Sequence, residues 1–279
     1  MNLAAGPRAV WVSGPIGVVR LDARTGYVGR QYILPALYPL GIAVGEGAVW
    51  AASVENGYTS GTVTRIDLRT GAARTIFHRE HWPAEAVTAS HSDVWVVFGG
   101  SRIPRLGRFD RRGGLLGVTR LDTGANWLAS DPGGAWVCCH SRRLLRIDRS
   151  GNAASSFRVP FTNPIWIAGG SLWQAGRSVL YRLDARTGQV LAALTVSAVT
   201  SVAARAGSAY ALGDGTLARI DLATNHVAAR RKLAGITDAV SAGPDGVWVT
   251  SVPLSASPPE SVFRLNPRTL ATELTVSLY

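Results

Sequence analysis

Seven aromatic residues recur at nearly even intervals along the 279-residue chain: Trp11, Trp50, Trp95, Trp136, Trp173, Tyr210 and Trp248, spaced by 39, 45, 41, 37, 37 and 38 residues. Beyond each lies an apolar run ending in an acid or amide: VVRLD, VTRID, LGRFD, LLRID, LYRLD, LARID and VFRLN at residues 18–22, 63–67, 106–110, 144–148, 180–184, 217–221 and 262–266. Then comes a turn of the type ARTG, LRTG or RSG. Within one unit, residues 41–77, four short apolar runs are separated by turns rich in Gly, Asp and Thr.

Four short strands per unit, repeated at about 40 residues, specify an all-β chain: a seven-bladed β-propeller of four-stranded antiparallel blades. The strands of each blade are lettered a to d, with a innermost. The blades are expected near residues 1–34, 40–77, 85–121, 126–159, 165–195, 200–233 and 238–277, in a single domain spanning 1–279. The chain thus starts on strand a of blade 1 and stops on strand d of blade 7. Closure then rests on blade 1 packing against blade 7, with no shared sheet.

Within the unit, the aromatic on strand b and the arginine on strand c read as scaffold. The arginine is expected to reach a carbonyl or carboxylate of a neighbouring blade. The Asp at the end of strand c is expected to accept backbone N–H groups two residues on, which closes the turn. The repeat also absorbs much of the net charge of +11. Seven arginines occupy one repeat position and five more, Arg24, Arg69, Arg112, Arg186 and Arg268, follow shortly after. Charge spread in this way, without alternating basic and aromatic residues, argues against nucleic acid as a partner.

Composition removes other classes. With 47% hydrophobic residues the chain is not disordered. No stretch of 18 apolar residues is present, so no helical membrane span is expected. The two adjacent cysteines, Cys138 and Cys139, are no disulfide framework and read as small residues ending a buried strand. No zinc spacing, P-loop, dinucleotide fingerprint or nucleophile elbow occurs, so no metal site or nucleotide cofactor is expected. With Met1 as the native start, the lack of a charged and apolar leader implies a cytoplasmic protein; another start leaves the compartment open. A monomer is expected.

The pattern VWV…VxRLDxRTGxV resembles the YVTN-type propellers and their NHL and virginiamycin B lyase-like relatives, over the whole chain. The resemblance implies the fold. Its lyase-like branch further implies a His and a Glu near the channel mouth, with magnesium, carrying out an elimination.

Departures from the repeat fall together. From each strand-c arginine to the next strand-b aromatic the distance stays at 27–30 residues, while from the aromatic to the arginine of its own blade it runs from 9 to 16. The b–c loops of blades 2, 3 and 7, residues 53–61, 98–105 and 251–260, carry the excess. Insertions on one face of a repeat array commonly mark a binding face. Three tryptophans fall outside the repeat position: Trp82, Trp127 and Trp166, in or next to d–a connections of blades 3, 4 and 5. Tyr38 and Phe161 lie in equivalent loops. Clustered aromatics describe either a small-molecule pocket or a plug in the channel. The residues just before strand a include Glu85, Asn126 and Asp238, with Glu85 and Asp238 the carboxylates among them. The d–a loop of blade 3, read as His78–Glu85, holds two of the five histidines.

The expected site therefore takes His81, Glu85 and Asp238 as acid–base groups. Trp82, Trp127, Trp166, Asn126, Tyr38, Phe161, His140, Gln174, Arg177 and Arg102 form its wall and rim, and Arg102, Arg105 or Arg177 would steady an anion. Two functions compete: a small-molecule-binding propeller, extended to a lyase- or cyclase-type enzyme of bacterial specialised metabolism, and a non-catalytic propeller that docks a protein partner on the same face.

Overall fold

The computed structural model describes residues 1–15, 17–35, 38–55, 57–90, 93–99, 103–121, 124–139, 142–159, 164–252 and 260–278, with Tyr38, Asn126, Cys139 and Val252 as backbone only. Among them all regular structure is β, in seven four-stranded antiparallel sheets, the blades of a β-propeller. Blade 1 is β1 (Asn2–Ala5), β2 (Ala9–Gly14), β3 (Gly17–Asp22) and β4 (Val28–Tyr32). Blade 2 is β5 (Tyr38–Gly45), β6 (Ala48–Glu55), β7 (Ser60–Asp67) and β8 (Ala73–Glu80). Blade 3 is β9 (Ala84–Ser90), β10 (Asp93–Phe98), β11 (Arg105–Asp110) and β12 (Leu115–Arg120). Blade 4 is β13 (Ala125–Asp131), β14 (Gly134–Cys139), β15 (Arg143–Asp148) and β16 (Ala153–Arg158). Blade 5 is β17 (Ile165–Ala168), β18 (Ser171–Ala175), β19 (Val179–Asp184) and β20 (Val190–Thr195). Blade 6 is β21 (Val199–Arg205), β22 (Ser208–Gly213), β23 (Thr216–Asp221) and β24 (His226–Lys232). Blade 7 is β25 (Ile236–Gly243), β26 (Gly246–Val252), β27 (Ser261–Leu265) and β28 (Thr272–Ser277).

Strand order follows sequence order in every sheet. The turn after strand c is closed as its sequence implies. Asp22 Oδ1 accepts from the N–H groups of Arg24 and Thr25 at 3.0 and 2.8 Å. Asp67, Asp110, Asp148, Asp184, Asp221 and Asn266 accept in the same way at their own positions. At five of these aspartates the bonds favour the ionised carboxylate and so lower its pKa. The Thr70 N–H is the main cause at Asp67, held at about 2 against an ordinary 3.8. Asp22, Asp110, Asp184 and Asp221 are lowered likewise, chiefly by the N–H groups of Thr25, Gly114, Thr187 and Thr224.

The repeated aromatic and the repeated arginine face each other across strands b and c: Trp50 opposite Arg65, Trp95 opposite Arg108, Trp136 opposite Arg146, Trp173 opposite Arg182 and Trp248 opposite Arg264. Each guanidinium lies 5.1–6.0 Å from the centre of its indole.

The chain packs as two compact units. One comprises Met1–Val12, Arg20–Arg30 and Ile165–Tyr279; the other comprises Ser13–Val19 and Gln31–Pro164. In the first unit, Trp173 packs with Val199, Val202 and Ala211 of blade 6, and Tyr210 packs with Val240, Val247 and Leu270 of blade 7. Arg182 donates to the Leu222 carbonyl at 2.6 Å, and Arg264 to the Arg24 carbonyl at 2.6 Å. Blade 7 also meets blade 1 through a hydrogen bond from Ala5 N–H to Ser241 Oγ at 2.9 Å. No strand is shared between them, as expected.

In the second unit, Trp50 sits against Val87, Val94, Val96 and Phe98 of blade 3, and Trp95 against Ala125, Ala135 and Val137 of blade 4. Arg65 donates to the Arg111 carbonyl at 3.1 Å. Buried Asp93 accepts from Arg108 of its own blade at 3.0 Å and from Arg149 of blade 4 at 2.6 Å. Cys138 is buried, as its sequence context implies.

Two sequence expectations need correction. The excess length of blade 2 is mostly strand, since β6, β7 and β8 have eight residues each and the b–c connection shrinks to 56–59. His78, Arg79 and Glu80 accordingly belong to β8 and not to a loop. Strands a also begin earlier than expected. Tyr38, Glu85, Asn126 and Asp238 therefore lie inside β5, β9, β13 and β25.

Candidate functional site

The strand-a positions have a common structural cause. Phe98 pairs with Ala84 and Val97 with Ala86, so Glu85 is the extra residue of a β-bulge. Leu40 in β5, Asn126 in β13 and Thr200 in β21 are skipped in the same way, and Asp238 falls in the wider irregularity of β25. A bulge leaves one residue out of the ladder and re-aims its side chain, and bulges are over-represented beside functional sites. Strand a of blade 5 pairs without a break, Ile165 lying opposite Gln174.

Glu85 has a prepared place. Its carboxyl group occupies the position that a Cβ at Gly99 would take, so the missing side chain at 99 makes the room. Gly99 N–H in turn donates to the Pro83 carbonyl at 3.0 Å. The connection His81-Trp82-Pro83 is held from a second side as well. His81, in the left-handed region at φ 59°, donates its N–H to the Thr59 carbonyl at 2.5 Å. Gly61 lies so close to the carbonyl of Trp82 that no side chain fits at 61.

What this connection presents is Trp82. The half-buried indole packs on Phe98 at 5.6 Å and Phe77 at 6.2 Å between ring centres. Two guanidiniums lie over the same ring, Arg79 at 4.2 Å and Arg105 at 4.4 Å from its centre. Arg105 is also directly opposite Arg120 across β11 and β12. Like charges facing each other across a strand pair are destabilising. At this repeat position blade 4 repeats the arrangement with Arg143 opposite Arg158, whereas blades 2, 5, 6 and 7 have Thr62–His78, Val179–Thr195, Thr216–Lys232 and Ser261–Ser277. Across blade 3, Ala84, Phe98, Arg105 and Arg120 therefore form one rung, with Glu85 bulged at its inner end and Trp82 packed against it. Beside it in blade 2, Glu55 accepts from Thr62 Oγ1 at 2.5 Å and pairs with His78 Nε2 at 3.4 Å.

His81, Trp82 and Glu85 thus lie in or next to one connection of the second unit, with His81 exposed. Trp127 is half-buried on β13 opposite Cys138 in that unit. The remaining described positions belong to the first unit. Trp166 lies opposite Trp173 and packs on the core of blades 5 and 6, Gln174 is buried, and Arg177 is exposed. Asp238 accepts from the Met1 ammonium at 3.2 Å. Phe161, His140 and Arg102 lie outside the described residues, as do the side chains of Tyr38 and Asn126. Sequence reasoning passed over Arg79, Arg120 and Gly99. The signal for Arg120 was available: only in blades 3 and 4 does an arginine stand both three residues before the strand-c arginine and at the end of strand d.

Among the described residues no three of His, Cys, Asp and Glu gather as metal ligands. The magnesium implied by the lyase-like resemblance therefore finds no such ligand set there, and no chemistry is routed through it.

No family model matches the chain, and no curated protein matches it. Solved structures do. The chain is similar to AztD from Citrobacter koseri in its apo form, with 11% identity, TM-score 0.69, and 97% of this chain and 94% of that one covered. BamB from Moraxella catarrhalis aligns at 15% identity and TM-score 0.61, over 99% of this chain and 87% of that one. A chain of the mitotic checkpoint complex aligns at 14% identity and TM-score 0.70, over 88% and 82%. At these identities the likeness shows the propeller fold alone, and function rests on the site.

Proposed function

We propose that this propeller is a ligand-binding protein that takes an anionic small molecule against the loop-end rung of blade 3. The observation that carries this reading is the pair of guanidiniums over Trp82, at 4.2 and 4.4 Å, with Arg120 added opposite Arg105. Guanidinium groups recognise carboxylates, phosphates and sulfonates through paired N–H donors. The half-buried Trp82 indole, backed by buried Phe98, offers apolar surface for the rest of the ligand.

Titration calorimetry against small carboxylates, phosphates and sulfonates tests the reading. At least one class should bind. Arg79→Ala and Arg105→Ala should each weaken it about tenfold or more, as loss of a charge-assisted hydrogen bond costs roughly 1.5–3 kcal/mol. Unchanged affinity in the double variant would remove the proposal.

A second reading adds acid–base chemistry to the same site, as in a lyase or cyclase. It is supported by the bulged Glu85 and the space that Gly99 leaves for its carboxyl group. In that reading Glu85 moves the proton and the arginines hold the developing anion. Glu85→Gln should abolish turnover of the bound ligand while leaving its affinity within about threefold. A variant that turns over at the native rate restricts the protein to binding.

A further inference from the structure

The outer strand of blade 3 carries a second feature. β12 is the last strand of its sheet, so one of its edges has no partner within the blade. Its residues Leu115, Leu116 and Val118 are 47%, 52% and 39% exposed. Gly117 has open space where a side chain would stand. An exposed, apolar edge strand without proline is a template for another strand, and proteins normally blunt it with charge. Two outer strands are treated in that way: β8 carries Arg74, His78, Arg79 and Glu80, and β24 carries Arg230, Arg231 and Lys232, whereas β20 is uncharged throughout. In β12 the first five residues are uncharged.

A cavity of about 390 Å³ lies alongside, lined by Leu116, Gly117, Val118, Thr119 and the turn Ser150–Asn152 of blade 4, with Arg108 at its wall. Thr119 Oγ1 donates to the Gly151 carbonyl at 2.7 Å and pins the turn beside the strand. The ladder identifies the outward backbone groups. Leu121 N–H donates to the Pro104 carbonyl, so alternate residues Thr119 and Gly117 face inward, and Val118 and Arg120 present their N–H and C=O outward. Basic residues stand at both ends of the edge: Arg111 and Arg112 in the preceding turn, and Arg120 at its end.

We infer that β12 is a docking edge for an extended acidic segment of a partner protein, which adds a fifth strand to blade 3. Main-chain bonds to Val118 and Arg120 hold the added strand. Its apolar side chains on one face enter the cavity between β12 and the blade 4 turn, and its carboxylates meet Arg111, Arg112 and Arg120. This surface meets the Trp82 rung at Arg120, but strand docking on it does not depend on a small-molecule ligand.

The test uses the full chain and a fluorescein-labelled peptide of alternating valine and glutamate, read by anisotropy. An alternating valine–lysine peptide is the charge control. Val118→Pro removes an outward donor while keeping the ladder to β11; Leu116→Glu leaves the backbone intact and places a repelling charge at the cavity. The Val–Glu peptide should bind, each variant should weaken it about tenfold or more, and the Val–Lys peptide should not bind. Equal binding of both peptides would overturn the inference, as would native affinity in Leu116→Glu even if Val118→Pro fails to fold. A concentration-dependent dimer that Val118→Pro abolishes, with no peptide bound, would assign the edge to a second copy and overturn it too.

Discussion

Blade 3 uses arginine over tryptophan twice, and the two uses differ in what surrounds the charge. At mid-blade, Trp95 is buried, Arg108 lies 5.7 Å from its ring, and buried Asp93 neutralises both Arg108 and Arg149. At the loop end, Trp82 is half-buried, two guanidiniums lie closer to it, and the residue facing Arg105 is another arginine. The first arrangement recurs blade after blade and is scaffold. The second is built by a connection that occurs once, held by Thr59, Gly61 and Gly99. The same residue types therefore divide between holding the blades together and presenting positive charge to solvent.

The largest expected effect breaks the scaffold member of this comparison. Trp95→Ala should cost about 3–5 kcal/mol, the range for deleting a large buried aromatic, whereas Trp82→Ala should cost distinctly less in denaturant unfolding. Equal losses would mean that Trp82 is core like the others. Next, Asp93→Asn should cost roughly 3 kcal/mol, because Arg108 and Arg149 lose the carboxylate that links blades 3 and 4. Gly61→Ala follows at about 1–3 kcal/mol, since the new methyl group must displace the Trp82 backbone; it should also change the loop-end fluorescence, which Gly47→Ala, in open space, should not.

The smallest effect concerns acid. Asp22, Asp67, Asp110, Asp184 and Asp221 are ionised more readily in the fold than in the open chain, so their contribution is complete above the ordinary carboxylate pKa. It is lost as pH falls through their folded values, for Asp67 from about 4 down to about 2. Thermal melts should therefore fall between these pH values. Asp67→Asn should flatten that limb slightly, because Asn266 already closes the same turn in blade 7 without a titrating group. An unchanged limb in variants at several of these turns would place the acid sensitivity elsewhere.

Most of the fold was legible because a period needs only one chain to be seen. The seven aromatics, the seven strand-c arginines and the turn closed by Asp or Asn all follow from repeated wording. The candidate site was legible only in part. Aligning the repeats singled out the position of Glu85, Asn126 and Asp238, but a bulge is a property of register between two strands. No single strand shows which residue its partner skips. His78–Glu80 read as loop because the extension of β8 depends on equal lengthening of β6 and β7 beside it. Trp82, Trp127 and Trp166 looked alike in sequence, yet Trp166 packs on the core of blades 5 and 6, while Trp82 lies under two arginines. Gly61 and Gly99 carry no pattern at all, since their role is the space they leave.

The distinction between scaffold charge and presented charge has one direct test: the anion dependence of melting temperature in the native protein and in the Arg79→Ala, Arg105→Ala double variant. A bound anion stabilises by mass action, by about 2.7 kcal/mol at a hundredfold excess over Kd. The native protein should therefore melt higher as its preferred anion is added at constant ionic strength, and the double variant should not respond. An equal rise in both would show that the loop-end arginines of blade 3 do not form a ligand site.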